Sequence, residues 1–279
     1  MTTRKCWVTG AGGLIGNALM TSPWRARGWE AVGLDRSALD LTDETTVSRR
    51  FTVERPDAVI HCAAMSRSPA CERDPVRARL TNVEVTGHLA RIFAGLPMVF
   101  LSTDLVFDGT RAPYREDASP RPLSVYARSK AEAEERVLED PAHLVVRTSL
   151  NHGTSPTRDR GFNEEMERAW SEGRSLSLFV DEYRCPIGAE VTARALWRLL
   201  EVEARGIVHV AGTERLSRWD IGCLLAGTDA RRHSLMSQGS LKDFQGAPRA
   251  PDTTLDVSRA EALMGWELPR YSEWLGQAR

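Results

Sequence analysis

The 279-residue sequence predicts an α/β fold with a doubly wound parallel sheet. Two observations indicate this fold. Short apolar runs alternate with amphipathic stretches over the first 150 residues, and a glycine-rich turn joins the first run to the first stretch. Short continuous apolar runs are typical of strands buried on both faces of a parallel sheet. The predicted strands are residues 5–8, 31–34, 58–61, 99–102 and 144–147.

Amphipathic helices are predicted between these strands, because apolar residues recur there with the period of about 3.6 residues that places them on one helical face. They cover residues 14–22, 44–50, 75–94 and 125–138. A strand, a crossover helix and a second parallel strand form a right-handed unit, and successive units build a doubly wound sheet.

The regular alternation loosens after residue 150. We expect residues 1–150 to form the main domain and residues 151–279 to form a smaller region, partly interleaved with the main sheet. That region is expected to cover the carboxyl ends of the strands, where ligands bind in open α/β sheets. Its expected elements are a loop at 151–160, helices at 163–172, 189–203 and 271–277, a helix beginning at 217–220, and strands at 176–180 and 207–210.

The composition excludes several classes of partner. The formal net charge of −1 gives no reason to expect nucleic acid or an anionic membrane as a partner. No apolar run approaches the roughly 18 residues that indicate a membrane span. The residues before the first strand leave no room for the apolar core of a signal peptide, so we expect a cytoplasmic protein.

The five cysteines are scattered and odd in number, and no pair has the CxxC spacing. No two of the six histidines have the spacing of a helical metal site. We therefore expect reduced thiols and no metal.

The glycine-rich turn covers residues 7–16 and places Gly10, Gly13 and Gly16 three apart, in a GxxGxxG arrangement. The first glycine allows the unusual dihedral angles of the turn, the second lets the backbone approach a pyrophosphate, and the third lets the helix pack on the strand. The N-terminus of the following helix offers unpaired N–H groups to phosphate oxygens. Because a strand precedes this turn and a helix follows it, the pattern predicts a dinucleotide-binding (Rossmann) domain.

Asp35 ends the second predicted strand, 19 residues after Gly16. An acidic residue there accepts hydrogen bonds from the ribose of NAD and repels the 2′-phosphate of NADP, although a strand-end cap is the alternative role. Arg36 points to the other cofactor, NADP, because a guanidinium beside the ribose can bind the 2′-phosphate. The alternative is that Arg36 is only a charged surface residue. We expect NADH, with tolerance of NADPH.

Further cofactor contacts are expected where Asp40 and Leu41 border the adenine, and where three small residues follow the third strand and let the dinucleotide lie close. The whole predicted cofactor-binding set is Gly10, Gly12, Gly13, Leu14, Ile15, Gly16, Asp35, Arg36, Asp40, Leu41, Cys62, Ala63, Ala64, Tyr126 and Lys130.

The predicted catalytic residues are Thr103, Tyr126 and Lys130. Tyr126 and Lys130 form a YxxxK spacing on the fourth helix, and residues four apart lie on one helical face. A cation beside a phenol stabilises the phenolate and brings its pKa from about 10 towards neutrality. Thr103 lies at the end of the fourth strand, 23 residues before Tyr126, where its hydroxyl can donate to a substrate carbonyl or simply bond the backbone.

These motifs resemble the dTDP-4-dehydrorhamnose reductase family, a branch of the extended short-chain dehydrogenases. The resemblance covers nearly the whole chain. It is carried by residues 102–109 (STDLVFDG), 122–130 (PLSVYARSK), 145–149 (VVRTS), 179–186 (FVDEYRCP), 206–212 (GIVHVAG) and 248–263. It implies reduction of a 4-keto nucleotide sugar: a hydride from the nicotinamide, a proton from Tyr126, a carbonyl oriented by Thr103, and Lys130 also on the nicotinamide ribose.

The sequence departs from the family at positions that resemble substrate contacts. Leu105 replaces an aromatic residue after the STD motif, Asn151 lies where the family has an aromatic loop, and Arg184 begins RCPI in place of GRPT. A small ketone other than a sugar therefore stays open as a substrate. The predicted substrate-binding residues are Ser66, Asp104, Leu105, Asn151 and Arg184.

Other activities are less favoured. Dehydratases of this fold resemble one another in a Thr-Asp-Glu triplet whose glutamate is a base, and Leu105 cannot be one. Epimerases usually have larger substrate domains. The family also has relatives resembling the β-subunit of methionine adenosyltransferase, which bind dinucleotide and regulate a partner, so a catalytically silent subunit is a further alternative. A homodimer through the helices that flank the sheet is compatible with the sequence.

Overall fold

The structure, a computed structural model, describes residues 3–25 and 28–278. Met1, Thr2, Arg279 and residues 26–27, which belong to the predicted domain ranges, lie outside the described residues. The strands of the described chain are β1 (Arg4–Thr9), β2 (Trp29–Leu34), β3 (Ala58–His61), β4 (Met98–Thr103), β5 (Leu144–Thr148), β6 (Asn151–His152), β7 (Leu176–Phe179), β8 (Tyr183–Arg184), β9 (Ile187–Gly188), β10 (Gly206–Val210), β11 (Leu216–Ser217) and β12 (Met236–Gly239).

Helices cover both faces of the main sheet and build most of the C-terminal part. The helices of the described residues are α1 (Leu14–Thr21), α2 (Glu44–Glu54), α3 (Ser68–Arg73), α4 (Pro75–Arg79), α5 (Val85–Ile92), α6 (Val125–Leu138), α7 (Phe162–Ser171), α8 (Ala189–Glu201), α9 (Arg218–Ala226), α10 (Ala230–Ser234), α11 (Ser258–Met264) and α12 (Tyr271–Ala278). Single 3-10 turns occupy Asp104–Val106 and Leu241–Asp243.

The predicted fold class is confirmed. Six parallel strands form one sheet in the order β10-β5-β4-β3-β1-β2. The chain passes from β1 outward to β2 and then returns to place β3 on the other side of β1. The carboxyl ends of β1 and β3 therefore flank the switch point at which ligands bind in this class of fold.

The region predicted as one helix over 75–94 is divided into α4, a π-helical turn at Leu80–Glu84, and α5. Asn82 lies in that turn and is buried. Its amide accepts a hydrogen bond from the Met65 N–H and donates to the Met65 carbonyl and the Ser129 hydroxyl. One inserted residue does not disturb the apolar period enough to be visible in the sequence.

The C-terminal part is interleaved with the main sheet, because β10 pairs with β5 at its edge. The remainder builds its own core, in which α7, α9 and α12 pack around Met166, Ile221 and Tyr271. Residues 151–152 were predicted as loop but form β6, which pairs with β9. A strand of two residues carries no periodicity that a sequence can show. The division at residue 150 stays a prediction.

No helix among the described residues combines the length and apolarity needed to cross a membrane.

Candidate active site

One cleft of about 1630 Å³ follows the carboxyl ends of the main strands and continues beneath the C-terminal part. Every residue predicted from the sequence to bind cofactor or substrate or to act in catalysis lines this cleft. The convergence follows from the fold, because the carboxyl ends of parallel strands meet at one edge of the sheet.

The glycine turn forms one end of the cleft, and two of its glycines are required by close contacts. Gly10 has φ of +68°, and a Cβ there would lie 2.8 Å from the Ala63 nitrogen. A Cβ on Gly16 would lie 2.1 Å from the Gly10 carbonyl oxygen. Gly13 is the N-cap of α1, and no side chain caps that helix. The turn therefore has the shape and the free helix end that a pyrophosphate needs.

The end of β2 places an exposed carboxylate beside the glycine turn. Asp35 accepts hydrogen bonds from the Ser37 hydroxyl and from the Ser37 and Ala38 N–H groups. The Ser37 hydroxyl is the main cause of the lowered pKa of Asp35, followed by the Ala38 N–H. All three bonds use the same oxygen, Oδ1, which leaves Oδ2 without a hydrogen bond among the described residues, and Asp35 lines the cleft.

Arg36, Asp40 and Leu41, three further residues that the sequence predicted to contact the cofactor, follow Asp35 along the wall of the cleft. Asp40 accepts hydrogen bonds from the Thr42 N–H and hydroxyl, which lower its pKa, and Arg36 lowers it further. Leu41 is half-buried against the core, and Arg36 is exposed. Arg36 is thus near one acidic neighbour but remains open to solvent.

The end of β3 carries the small residues Cys62, Ala63 and Ala64, all half-buried at the cleft wall. Beneath them the Thr9 hydroxyl lies 2.6 Å from Nδ1 of His61 and accepts a hydrogen bond from the Ala63 N–H. Burial, with a smaller contribution from Lys130, lowers the pKa of His61 to about 3. A neutral imidazole therefore ties β1 to β3 below the predicted dinucleotide site, a role that sequence reasoning missed.

Thr103 is the last residue of β4 and is buried. Its hydroxyl donates to the Asp104 carboxylate at 3.2 Å and accepts from the Leu105 N–H. Asp104 accepts two further hydrogen bonds, from the hydroxyls of Ser149 (2.9 Å) and Thr253 (2.6 Å). The carboxylate thus joins β4 to the segment after β5 and to the C-terminal part, and it fixes the position of Thr103.

Tyr126 lies in the first turn of α6, which Ser124 caps by accepting from the Ala127 N–H. The tyrosine is half-buried and lines the cleft with Thr103. Burial raises the pKa of Tyr126, Asp104 raises it further, and hydrogen bonding with Thr103 opposes the rise. The sequence predicted a lowered pKa, so the free protein differs from that expectation.

The physical reason lies in where Lys130 is directed. Its ammonium donates to the Leu101 carbonyl at 2.7 Å and lies 3.8 Å from the centroid of the Phe100 ring. Burial lowers the pKa of Lys130 to about 7, and Glu134 opposes that effect. The cation is therefore held against β4 rather than beside the phenol.

The opposite end of the cleft is strongly basic. Glu182 is buried and binds Arg184 at 3.0 Å and Arg249 at 2.7 and 2.8 Å. Arg218 lines the same wall. Burial lowers the pKa of Arg218, Glu182 raises it, and Arg184 and Arg249 lower it again. Arg184 also lies 3.8 Å from the Asp104 carboxylate, so three guanidinium groups meet two carboxylates here, and the positive excess suits an anionic ligand.

Of the predicted substrate residues, Asn151 and Arg184 are held by internal bonds. The Asn151 amide donates to the Thr148 hydroxyl and the Ser149 carbonyl and accepts from the Thr192 hydroxyl. Arg184 donates to two backbone carbonyls besides its ion pair with Glu182. Ser66 is exposed at the cleft edge and Leu105 is half-buried, so these two are the more accessible.

No cluster of three potential metal ligands occurs within residues 3–25 and 28–278, and the five cysteines are free thiols.

A family model described as the RmlD substrate binding domain matches residues 4–278. The chain belongs to the RmlD substrate-binding-domain family. This membership confirms the resemblance that the sequence motifs indicated, and the match covers both the main sheet and the C-terminal part.

Two curated relatives of this RmlD-family chain have different names. The methionine adenosyltransferase 2 subunit beta of Xenopus laevis is 28% identical, over 94% of this chain and 83% of its own. The probable low-salt glycan biosynthesis reductase Agl14 of Haloferax volcanii is 31% identical, over 94% of this chain and 93% of its own. The family therefore includes a protein named as a reductase and one named as a subunit.

Among solved structures, the dTDP-4-dehydrorhamnose reductase of Bacillus anthracis in complex with NADP has a TM-score of 0.88 and 24% identity, with 99% of this chain and 98% of that chain covered. The RmlD-family chain thus shares the fold of that structure over nearly its whole length.

Proposed function

We propose that this protein is an NAD(P)H-dependent reductase of a ketone, and that the ketone is a 4-keto nucleotide sugar. One observation carries the proposal: Thr103, Tyr126 and Lys130 line a cleft that has a pyrophosphate-shaped glycine turn at one end and an arginine cluster at the other. The family relative named as a glycan biosynthesis reductase supports the same reaction class.

The cofactor fits the residues present. The close contacts at Gly10 and Gly16 and the uncapped start of α1 suit the pyrophosphate, and the free oxygen of Asp35 suits a ribose hydroxyl. Because a carboxylate repels a 2′-phosphate, we propose NADH as the preferred cofactor, with NADPH tolerated through Arg36. A bound nicotinamide supplies the hydride.

Tyr126 provides the proton. Burial raises the pKa of Tyr126, so the phenol carries its proton at neutral pH. The proton passes to the carbonyl oxygen as hydride addition turns that oxygen into an alkoxide, which is a stronger base than the phenolate. Thr103 donates its hydroxyl hydrogen to the same oxygen and orients the carbonyl, once its bond to Asp104 is exchanged. Hydride addition at the carbonyl carbon and proton addition at the oxygen together give an alcohol. Lys130 lies near the reacting groups, and its positive charge stabilises the phenolate that Tyr126 becomes when it gives up its proton.

The substrate class follows from the basic end of the cleft. A sugar diphosphate carries charges that pair with guanidinium groups, and Arg218 and Arg249 line that wall beside the internally bonded Arg184. Leu105 lacks a basic atom next to Asp104, so the site is suited to reduction and not to removal of a proton from carbon. A non-sugar ketone would leave this basic wall without a function.

The test is NADH oxidation by the purified protein against a panel of dTDP-4-keto sugars and unrelated ketones. Turnover of one keto sugar supports the proposal as stated. Turnover of only an unphosphorylated ketone would support the reductase function and contradict a nucleotide sugar as the substrate. Absence of turnover with every ketone, despite tight NADH binding, would contradict the reductase.

A second candidate is a catalytically silent NAD(P)-binding subunit that regulates another protein. The observation that favours it is the 28% identity to a protein named as a subunit of methionine adenosyltransferase. Retention of Thr103, Tyr126 and Lys130 together in the cleft favours turnover. Dinucleotide binding without oxidation, combined with a change in a partner enzyme's activity on addition of this chain, would select the subunit.

A further inference from the structure

A third polar residue continues the face of α6 that carries Tyr126 and Lys130. Glu134 follows Lys130 by four residues, so the three side chains lie at successive turns of one helical face. Glu134 is only 2% exposed, as is Lys130. A carboxylate at that depth needs hydrogen-bond partners and compensating charge.

The sheet beneath α6 supplies those partners. Ser102 of β4 and Arg147 of β5 are cross-strand neighbours. The Ser102 hydroxyl donates to Glu134 at 2.5 Å, and Arg147 donates from Nε at 3.0 Å and from Nη2 at 2.7 Å. Ser102 adjoins Thr103, so one carboxylate fastens α6 to the strand that ends in a proposed catalytic residue.

Two buried cations lie near this carboxylate, but only one of them is bonded to it. Arg147 binds it from β5, while Lys130 lies one turn along α6, over Phe100. The other titratable groups facing Lys130 are uncharged. Burial lowers the pKa of His61 to about 3 and raises that of the Cys62 thiol to about 12, and Tyr126 is protonated because burial raises its pKa.

We propose that Glu134 is a positioning residue that keeps Lys130 charged against β4, in balance with Arg147. The proposal deepens the proposed function, since a charged Lys130 is what Tyr126 and the cofactor ribose require. Burial alone disfavours an ammonium ion, and a carboxylate one helical turn away offsets that penalty. Arg147 limits the offset, because its own positive charge is bonded to both oxygens of that carboxylate.

The test measures the ionisation of Lys130 directly. The chain has three lysines, Lys5, Lys130 and Lys242, so ¹³Cε-lysine NMR of the free protein gives three titration curves, assigned with Lys5→Arg and Lys242→Arg. Glu134→Gln keeps the shape of the side chain and one acceptor oxygen and removes the charge, and we expect the Lys130 midpoint to fall by about one pH unit or more, a tenfold change in protonated fraction.

For Arg147→Met we expect the opposite result. Of these two buried cations, only Lys130 then remains near the Glu134 carboxylate, so the Lys130 midpoint should rise. Ser102→Ala is the packing control and leaves the midpoint unchanged. Lys5 and Lys242 serve as internal references. An unchanged midpoint in Glu134→Gln, or a shift of the same sign in both charge variants, would overturn the proposal. If Glu134→Gln does not fold, a fall or no change in Arg147→Met does the same.

This measurement uses neither ketone nor cofactor, so it is independent of the reductase assay. If the Lys130 midpoint falls in Glu134→Gln and rises in Arg147→Met, but the protein reduces no ketone, the role of Glu134 is supported and the proposed function is contradicted. For an active protein, the alkaline limb of the pH–rate profile should move to lower pH in Glu134→Gln. If Glu134→Gln reduces the ketone with an unchanged alkaline limb of the pH–rate profile and an unchanged Lys130 midpoint, the role of Glu134 is contradicted and the reductase function is supported.

Discussion

The ammonium of Lys130 lies 2.7 Å from the carbonyl oxygen of Leu101, on the strand that ends at Thr103. The hydrogen bond holds a buried cation beneath the cleft before any ligand is present. Tyr126, one turn earlier on α6, is therefore a protonated phenol in the free protein. Lys130 lies on the same face of α6, one turn after the phenol, with its ammonium bonded to β4.

The buried Lys130 should cost the protein stability. Its pKa falls from 10.5 to about 7, so the unfolded chain binds the proton more tightly than the folded chain. The cost is then fully present below about pH 7 and disappears as the pH rises towards 10.5. We expect Lys130→Met to abolish activity and raise the melting temperature at neutral pH, by roughly 2 to 4 °C for each kcal/mol regained.

Thermal unfolding at pH 6, 8 and 10, scanned in the same buffer system, measures this effect. Lys242→Met removes an exposed lysine and is the matched control. A lower melting temperature for Lys130→Met at neutral pH would mean that the bonds to Leu101 and Phe100 outweigh the burial of charge.

The glycine turn should respond differently at its different glycines. A methyl group on Gly16 would lie 2.1 Å from the Gly10 carbonyl oxygen, whereas one on Gly12 would make an ordinary contact at 3.7 Å with the Asp35 side chain. We expect Gly16→Ala to displace α1 and weaken NADH binding by roughly tenfold or more, equivalent to about 1.4 kcal/mol. Gly12→Ala should leave the fold intact. Calorimetric binding of NADH tests both, and equal affinities for the two variants would place the dinucleotide elsewhere.

Asp35 should determine the choice between the two dinucleotides. Asp35→Asn keeps the oxygen that accepts from Ser37 and Ala38 but removes the charge. We expect NADH to bind more weakly and NADPH to bind as well or better, so that the affinity ratio changes by roughly tenfold, about 1.4 kcal/mol. Fluorescence titration of both cofactors measures it. Equal losses for NADH and NADPH would remove Asp35 from this role.

Arg218 should contribute to substrate binding without taking part in the chemistry. Among the described residues its guanidinium donates no hydrogen bond to another group, and it lines the basic end of the cleft. We expect Arg218→Met to raise KM for a nucleotide sugar by roughly 10- to 100-fold, the value of a charge-assisted hydrogen bond of about 1.5–3 kcal/mol, with kcat little changed.

The matched control is Arg215→Met, three residues earlier, whose guanidinium pairs with Asp252 outside the cleft. Steady-state kinetics separates KM from kcat for both variants. An Arg218 variant with unchanged KM would mean that the basic wall does not hold the substrate.

The sequence predicted the sheet and the proposed chemical groups because both depend on local spacing. The glycines of the turn and the pair Tyr126 and Lys130 lie within single elements, and strand ends of a parallel sheet necessarily meet at one edge. The direction of the Lys130 side chain was not predictable, because it depends on a carbonyl group of a different element, that of Leu101 in β4. The ion pair between Glu134 and Arg147 was not predicted for the same reason. The two residues lie 13 positions apart in the chain, on α6 and β5, and meet only when the helix packs on the sheet.

The basic wall was only partly predicted. Arg184 was identified from its position after a motif, whereas Arg218 and Arg249 come from segments far along the chain and meet at Glu182 only in the folded protein. Asn151 shows the reverse case. It lies at the cleft as predicted, but its amide is used by Thr148, Ser149 and Thr192, and no sequence pattern shows that a side chain is already satisfied.

The most direct test of the account is the loss of the phenol alone. Tyr126→Phe removes the proton donor and keeps the ring, so we expect kcat for reduction of a keto sugar to fall by roughly 10²- to 10⁴-fold. The dissociation constant for NADH should change little. Tyr183→Phe, a tyrosine that does not line the cleft, is the control and should keep full activity. Full turnover by Tyr126→Phe would contradict the central claim that Tyr126 supplies the proton.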